Sequence, residues 1–172
     1  MRLLSLVSAA SITVVVAASV QQGVSEESQL EQNKQIVRLN ARAINNRDLG
    51  LLAETTAATL VRHCQATPGL EIASLADFVA FLQSDWATFP DSLITIQQLV
   101  AEGDRVAIFA TYEGTQTGQM GPFPPSGKRM SLDFSGVFRI EEGKVAEIWV
   151  TWDNMAALTQ LGHFPPQDGS AG

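Results

Sequence analysis

The chain has 172 residues, 45% of them hydrophobic and 17% charged, with a formal net charge of −7 and one cysteine, Cys64. That length suits one domain with a sizeable core and is short for two. The composition is far from that of disordered chains, the acidic balance argues against nucleic acid or an anionic membrane as partner, and a single cysteine excludes an intrachain disulfide.

Arg2 opens the chain, and Leu3 to Val20 is apolar except for Ser5, Ser8, Ser11, Thr13 and Ser19. The small residues Ala17, Ala18 and Ser19 then precede a polar stretch from Gln21. Basic, then apolar, then small is the layout of a secretory signal peptide, here residues 1–20. The alternative is an uncleaved membrane anchor, because the run approaches the ~18–20 residues of a spanning helix. Either reading places the folded part outside the cytoplasm, secreted or periplasmic.

Residues 21–28 read as a polar linker. Ser28 with Glu31 has the form of a capping box, and Leu30, Ile36, Val37, Leu39, Ala41 and Ile44 follow at helical spacing as far as Asn45-Asn46. Asp48 reads as the N-cap of a second short helix, and Thr59 to His63 as a strand closed by Pro68-Gly69. Ser74 and Asp77 repeat the capping signal before Phe78, Phe81, Leu82, Asp85, Trp86 and Phe89, a helical stripe that Pro90 ends.

After Pro90 the period changes to two. Leu93 to Ala101 and Arg105 to Thr115 predict a hairpin around Glu102-Gly103-Asp104. Gly118, Gly121, Pro122, Pro124, Pro125 and Gly127 predict a loop. Met130 to Ile140 and Lys144 to Trp152 predict a second hairpin, followed by a short helix to Leu161. Helices first and a long antiparallel sheet afterwards is an α+β plan. Such helices on a curved sheet leave a conical cavity for a small ligand.

If Glu141-Glu142-Gly143 is a three-residue loop with Gly143 left-handed, even-numbered residues of both final strands share one face. That face carries Leu132, Phe134, Gly136, Phe138, Ile140, Ala146, Ile148, Val150 and Trp152, with no titratable group. The odd face carries Asp133, Arg139, Glu147, Trp149 and Asp153.

Several ordered signatures resemble one family. They run from Asn33-Lys34, Asn46-Arg47-Asp48 and Val61 to His63 through Phe89-Pro90-Asp91 and Ala101 to Ala107. Gly114-Thr115, Pro124-Pro125, Phe138-Arg139, Gly143-Lys144, Glu147, Trp149, Asp153 and Gln160-Leu161-Gly162 complete them. Together they are similar to the SnoaL-like polyketide cyclases (ester cyclases) of the nuclear-transport-factor-2-like superfamily, over residues 33–162. The resemblance implies a domain over residues 29–162, cone-shaped helices packed on a curved, mostly antiparallel β-sheet, and a tail at 163–172. It also implies homodimerisation through the outer sheet face, and aldol ring closure or isomerisation of a hydrophobic carbonyl compound without a cofactor. Where the family's hairpin commonly reads Glu-His-Trp-Asp, this chain has Glu147, Ile148, Trp149 and Val150.

Asp153 and His63 are the candidate catalytic residues. Asp153 can accept a proton at the cavity mouth or cap the last helix. His63 can act as a base near neutral pH or be a half-buried side chain bonded to backbone. Trp86, Gln116, Phe134, Phe138, Ile148, Val150, Trp152 and Asn154 are candidate ligand contacts. Gln116 can equally satisfy backbone at a strand end, and the tryptophans can be core or interface. No metal is expected, because two histidines and one cysteine lack ligand spacing, and His163 reads as a surface residue. The competing function is a non-catalytic module that binds a small hydrophobic molecule.

Overall fold

The computed structural model describes the backbone of residues 10–164 and the side chains of residues 26–164. Residues 1–9 of the expected export signal, the side chains of its remainder, and tail residues 165–172 lie outside the described residues. Among the described residues there are four helices and five strands. In chain order they are α1 (Ala10–Asn46), α2 (Leu49–Thr55), β1 (Thr56–His63), α3 (Leu75–Thr88), β2 (Leu93–Glu102), β3 (Arg105–Thr115), β4 (Arg129–Glu141), β5 (Lys144–Trp152) and α4 (Asn154–Leu161). The sheet runs β1-β5-β4-β3-β2, antiparallel throughout except for the parallel pair β1–β5. The predicted α+β plan is therefore the observed one.

Ser28 lies inside α1 instead of capping it. Its hydroxyl takes a hydrogen bond from the Gln32 side chain at 3.4 Å. The polar residues around it, Glu26, Glu27, Gln29, Glu31 and Gln32, are good helix formers, and Lys34 pairs with Glu31 one turn back. A polar stretch without proline gave no physical reason for the helix to stop. The other two predicted caps are present. Asp48 accepts from the Leu51 amide and Ser74 from that of Asp77.

Three side chains of α1 and its turn fasten the helix to the sheet. Buried Asn40 donates to the Thr56 hydroxyl at 2.8 Å, where α2 passes into β1. Asn45 makes a two-way amide pair with the backbone of Ile94, both bonds 2.8 Å. Arg47 donates to the Pro90 carbonyl and to Ser92. The Asn45 pair satisfies the backbone of Ile94 at the start of edge strand β2, and Arg47 ties down the turn that leads into it. Between helices and sheet lies the main core, which includes Val37, Leu52, Leu60, Val106 and Val145, all almost fully buried. Each such side chain contributes about 1.5–3 kcal/mol through burial.

Parity along the strands is corrected twice. In β2 the apolar positions are Ile94 and Ile96, then Leu99 and Ala101, because a bulge at Gln97 shifts the register against β3. In the last hairpin Glu141 pairs with Lys144, so the turn is the two-residue Glu142-Gly143, with φ of 51° and 73°. This corrects the three-residue loop. Two left-handed residues give the turn whose twist matches a hairpin, and an extra residue at Ala146 then restores the phase. Phe138 faces Ile148, Gly136 faces Val150 and Phe134 faces Trp152, so the even face expected from sequence is real.

The glycine- and proline-rich loop after β3 docks on the end of α3. The amides of Thr117 and Gly118 both donate to the Thr88 carbonyl at 3.0 Å, satisfying a helix-end acceptor. At Gly118 a Cβ would sit 2.4 Å from the Ala87 carbonyl oxygen and 2.8 Å from the Thr88 Cα. Both obstacles are backbone. Gly118→Ala is expected to destabilise the fold by about 2 kcal/mol or more in urea unfolding, whereas a polar-to-alanine change at exposed Gln119 stays within about 0.5 kcal/mol.

Candidate active site

Helix α3 carries the stripe Phe78, Phe81, Leu82, Asp85 and Trp86. The three- and four-residue steps put Asp85 on the same side as the buried Phe78 and Leu82, facing the sheet. Strand β3 presents Val106, Ile108, Ala110 and Tyr112 at two-residue steps to the same side. Helix and strand bring Asp85 and Tyr112 together. The Tyr112 hydroxyl lies 3.0 and 2.9 Å from the two carboxyl oxygens of Asp85 and donates to that carboxylate.

Burial pushes the Asp85 carboxyl up to about 6, with the Tyr112 hydrogen bond and the charges of Arg47 and Arg62 opposing it. Tyr112 is raised far above the ordinary phenol range, first by burial and then by the neighbouring carboxylate. The even face of the final hairpin carries no titratable group, as read from the sequence, but α3 and β3 bring a carboxyl and a phenol to the same side. The signal was present in the sequence, as an aspartate at a core position of an apolar helical stripe.

Arg62 of β1 joins them from the far edge of the sheet. It is 9% exposed, and its guanidinium carbon lies 4.7 Å from the Phe81 ring centre and 5.7 Å from that of Trp152. Burial lowers its basicity. Around these groups the concave face changes character. Val106, Val145 and Leu60 are sealed, whereas Phe81, Trp86, Tyr112, Phe134, Val150 and Trp152 are only half-buried. The Trp86 indole N–H is buried without a hydrogen-bond partner.

Of the ligand contacts expected from sequence, Trp86, Phe134, Val150 and Trp152 lie at this end of the concave side, and Phe138 and Ile148 are buried in the adjoining core. Other sequence candidates lie elsewhere. His63 sits on the outer face, its Nε2 2.8 Å from Glu147 and its ring stacked 5.3 Å from that of Trp149. Strand alternation separates it from its neighbour Arg62. Glu147, held by His63 and then by Arg139, is depressed below the ordinary carboxylate range. Asp153 caps α4, accepting from the amides of Met155 and Ala156. Asn154 joins the Trp152 indole to the Ala66 carbonyl.

Gln116 is fully buried and committed to the loop. Its amide donates to the carbonyls of Gly118 and Pro124, and its oxygen lies 2.7 Å from Nε2 of His163. His163 is thus a half-buried packing residue, stacked on Phe123, and not the surface residue expected. Its role was hidden because it lies 47 residues from Gln116 in sequence.

Solved structures of similar fold include IdmH, a candidate polyketide cyclase from Streptomyces antibioticus. It is 28% identical, with a TM-score of 0.68 over 76% of this chain and 99% of that one. AclR, a candidate hydroxylase from Streptomyces galilaeus, is 26% identical with a TM-score of 0.68 over 81% and 87%. TsrD from Streptomyces laurentii is 26% identical with the same TM-score over 77% and 96%. Curated protein sequences contain no match. The sequence profile of the SnoaL-like polyketide cyclases matches residues 34–161. With that profile spanning most of the chain and the fold agreeing, the protein belongs to the SnoaL-like polyketide cyclase family.

Proposed function

We propose that the half-buried end of the concave side forms a cavity for a hydrophobic carbonyl compound, and that the protein enolises it by acid/base chemistry with Asp85 as base. The observation that carries this reading is a carboxyl held 2.9 Å from a phenol inside an apolar interior, where burial pushes its pKa up to about 6. A base poised near working pH is what proton abstraction beside a carbonyl requires. Asp85 takes the proton from carbon and becomes neutral. The Tyr112 hydroxyl, released from the carboxylate, then donates to the enolate oxygen. The enolate carbon attacks a second carbonyl to close a ring, the new alkoxide taking the proton back from Asp85, or Asp85 returns the proton to another carbon. Family membership and the named function of IdmH support the cyclase direction. The order of residues 1–20 supports export. The apolar hairpin lining of Ile148 and Val150 favours a second reading, a binding module without turnover.

Deuterium exchange at the α-carbon of 1-tetralone, followed by NMR, separates these readings. Wild type is expected to exceed the buffer rate, with a rate that rises with pH to a plateau above about 6. Asp85→Asn should lower it by about 100-fold or more and Tyr112→Phe by about tenfold or more. Binding without exchange selects the second reading, and loss of exchange in His63→Ala alone would move the chemistry to the other face.

The same carboxyl sets a stability trend. Its folded pKa of about 6 lies above its ordinary 3.8, so the folded state binds the proton more tightly between those values. Stability is lost as pH rises through that window, by up to about 3 kcal/mol. The Tm of Asp85→Asn minus that of wild type should grow from pH 4 to about 6.5 and then level off.

We also propose a homodimer through the outer sheet face. Val100 (66% exposed), Phe109 (38% exposed), Val137 and Trp149 lie on that face, and burying such apolar surface against a second copy is favourable. Phe109→Asp is expected to shift sedimentation at micromolar concentration from dimer to monomer, and a monomeric wild type would refute the pairing.

A further inference from the structure

Arg47 follows α1 in the left-handed region, with φ of 56°, where glycine is the low-cost residue. Backbone strain at a half-buried arginine marks a side chain that is in use. Its guanidinium donates to the carbonyls of Asn45, Pro90 and Ser92, which secures the turn. One further N–H goes to the Ser92 hydroxyl at 3.2 Å.

Ser92 stands one residue before β2 and is 7% exposed. Ile94 pairs with Tyr112 across β2 and β3, so Ser92, two residues earlier, is the diagonal neighbour of the phenol. Burial and the Asp85 carboxylate raise Tyr112, whereas hydrogen bonding to the Ser92 side chain and then the Arg47 charge act the other way. The Arg47 guanidinium carbon also lies 5.8 Å from the ring centre of Trp86, the residue after Asp85 on α3. Turn, strand and helix thus converge on one hydroxyl.

The direction of this chain is fixed at both ends. Arginine only donates, so the Ser92 oxygen accepts from it and the Ser92 proton is left for the phenol oxygen. The ionised Asp85 carboxylate only accepts, so the phenol proton goes to it. Hydrogen bonds aligned in this way polarise one another, and each makes the next donor stronger.

We propose that Arg47 and Ser92 are positioning residues of the concave site, which aim and polarise the Tyr112 hydroxyl as a donor to an oxygen of the ligand. This rests on the reading of Tyr112 as the donor to the enolate oxygen. Once Asp85 has taken up a proton it no longer requires the phenol, whereas Ser92 continues to donate to the phenol oxygen. The Tyr112 proton is then free to turn to the ligand while its oxygen stays in place.

Two double-mutant cycles on the full chain test this, each crossing Ser92→Ala with Tyr112→Phe. Ser92→Ala isolates the relay because it leaves Arg47 its three carbonyls. The first cycle follows the Asp85 carboxyl by carbon NMR titration and needs no turnover. Ser92→Ala is expected to raise the proton affinity of Asp85 about twofold or more, since a less polarised phenol donates more weakly to the carboxylate. In Tyr112→Phe the same substitution should change nothing. The second cycle follows 1-tetralone exchange. Ser92→Ala should lower kcat about fivefold with KM within about twofold, and should slow Tyr112→Phe no further. Ser92→Cys, of similar volume with a weaker donor, should give smaller changes of the same sign, and it carries both cycles if the alanine variant does not fold. An unchanged Asp85 titration overturns the proposal, as does a change that persists in full in Tyr112→Phe. A loss confined to KM overturns it too, because it marks Ser92 as a ligand contact. Wild type without exchange but with the coupled Asp85 response removes the catalytic reading and leaves Tyr112 as a positioned donor to a bound ligand.

Discussion

Keeping one continuous apolar face across five strands is the constraint on which the remaining features depend. Side chains alternate strictly along a strand, so a single uncorrected residue would turn half of the core outward. Here β2 is corrected at Gln97 and β5 at Ala146, and the register of β1 against β5 shifts between Thr56 and Val61. With phase restored, Ile94, Tyr112, Leu132, Phe134, Val150, Trp152 and Arg62 share one side, while His63, Glu147 and Trp149 share the other. Arg62 and His63 are adjacent in sequence yet serve opposite faces.

The interior is divided along the strands. At one end Val106, Leu60 and Val145 close against α1 and α2, with Asn40 bonded to Thr55 and Thr56 and Asn33 to the Gly103 carbonyl. At the other end α3 lowers Asp85 toward the sheet. Ionising that carboxyl in apolar surroundings opposes folding, and its retention beside Tyr112 is hard to explain by stability alone. A hydrophobic residue at position 85 would complete the stripe of α3 at lower cost. Perturbed carboxyls in half-buried recesses are where acid/base function concentrates.

The outer face carries the opposite organisation. Arg139, Glu147 and His63 form a line of charged and polar groups around Trp149, with Arg105 also over its ring. These ion pairs are partly exposed and so add little to stability, while the His63 ring stacks on that of Trp149 from the neighbouring strand. The indole shares this face with the exposed Val100 and Phe109.

Element order, both hairpins, and the caps Asp48 and Ser74 were determined by the sequence alone, because they rest on local spacing and short-range hydrogen bonds. The even face of the final hairpin was legible for the same reason, although the turn that creates it was not. The start of α1 was misread because polar residues were taken for linker when nothing in them stops a helix. Only the tertiary structure decided which titratable groups meet. Asp85 stood visibly in an apolar stripe, but its carboxyl becomes a near-neutral acid through burial and through Tyr112, 27 residues further along the chain. The packing of Arg62 against the Phe81 and Trp152 rings is likewise invisible in sequence, because those rings come from α3 and β5, far along the chain.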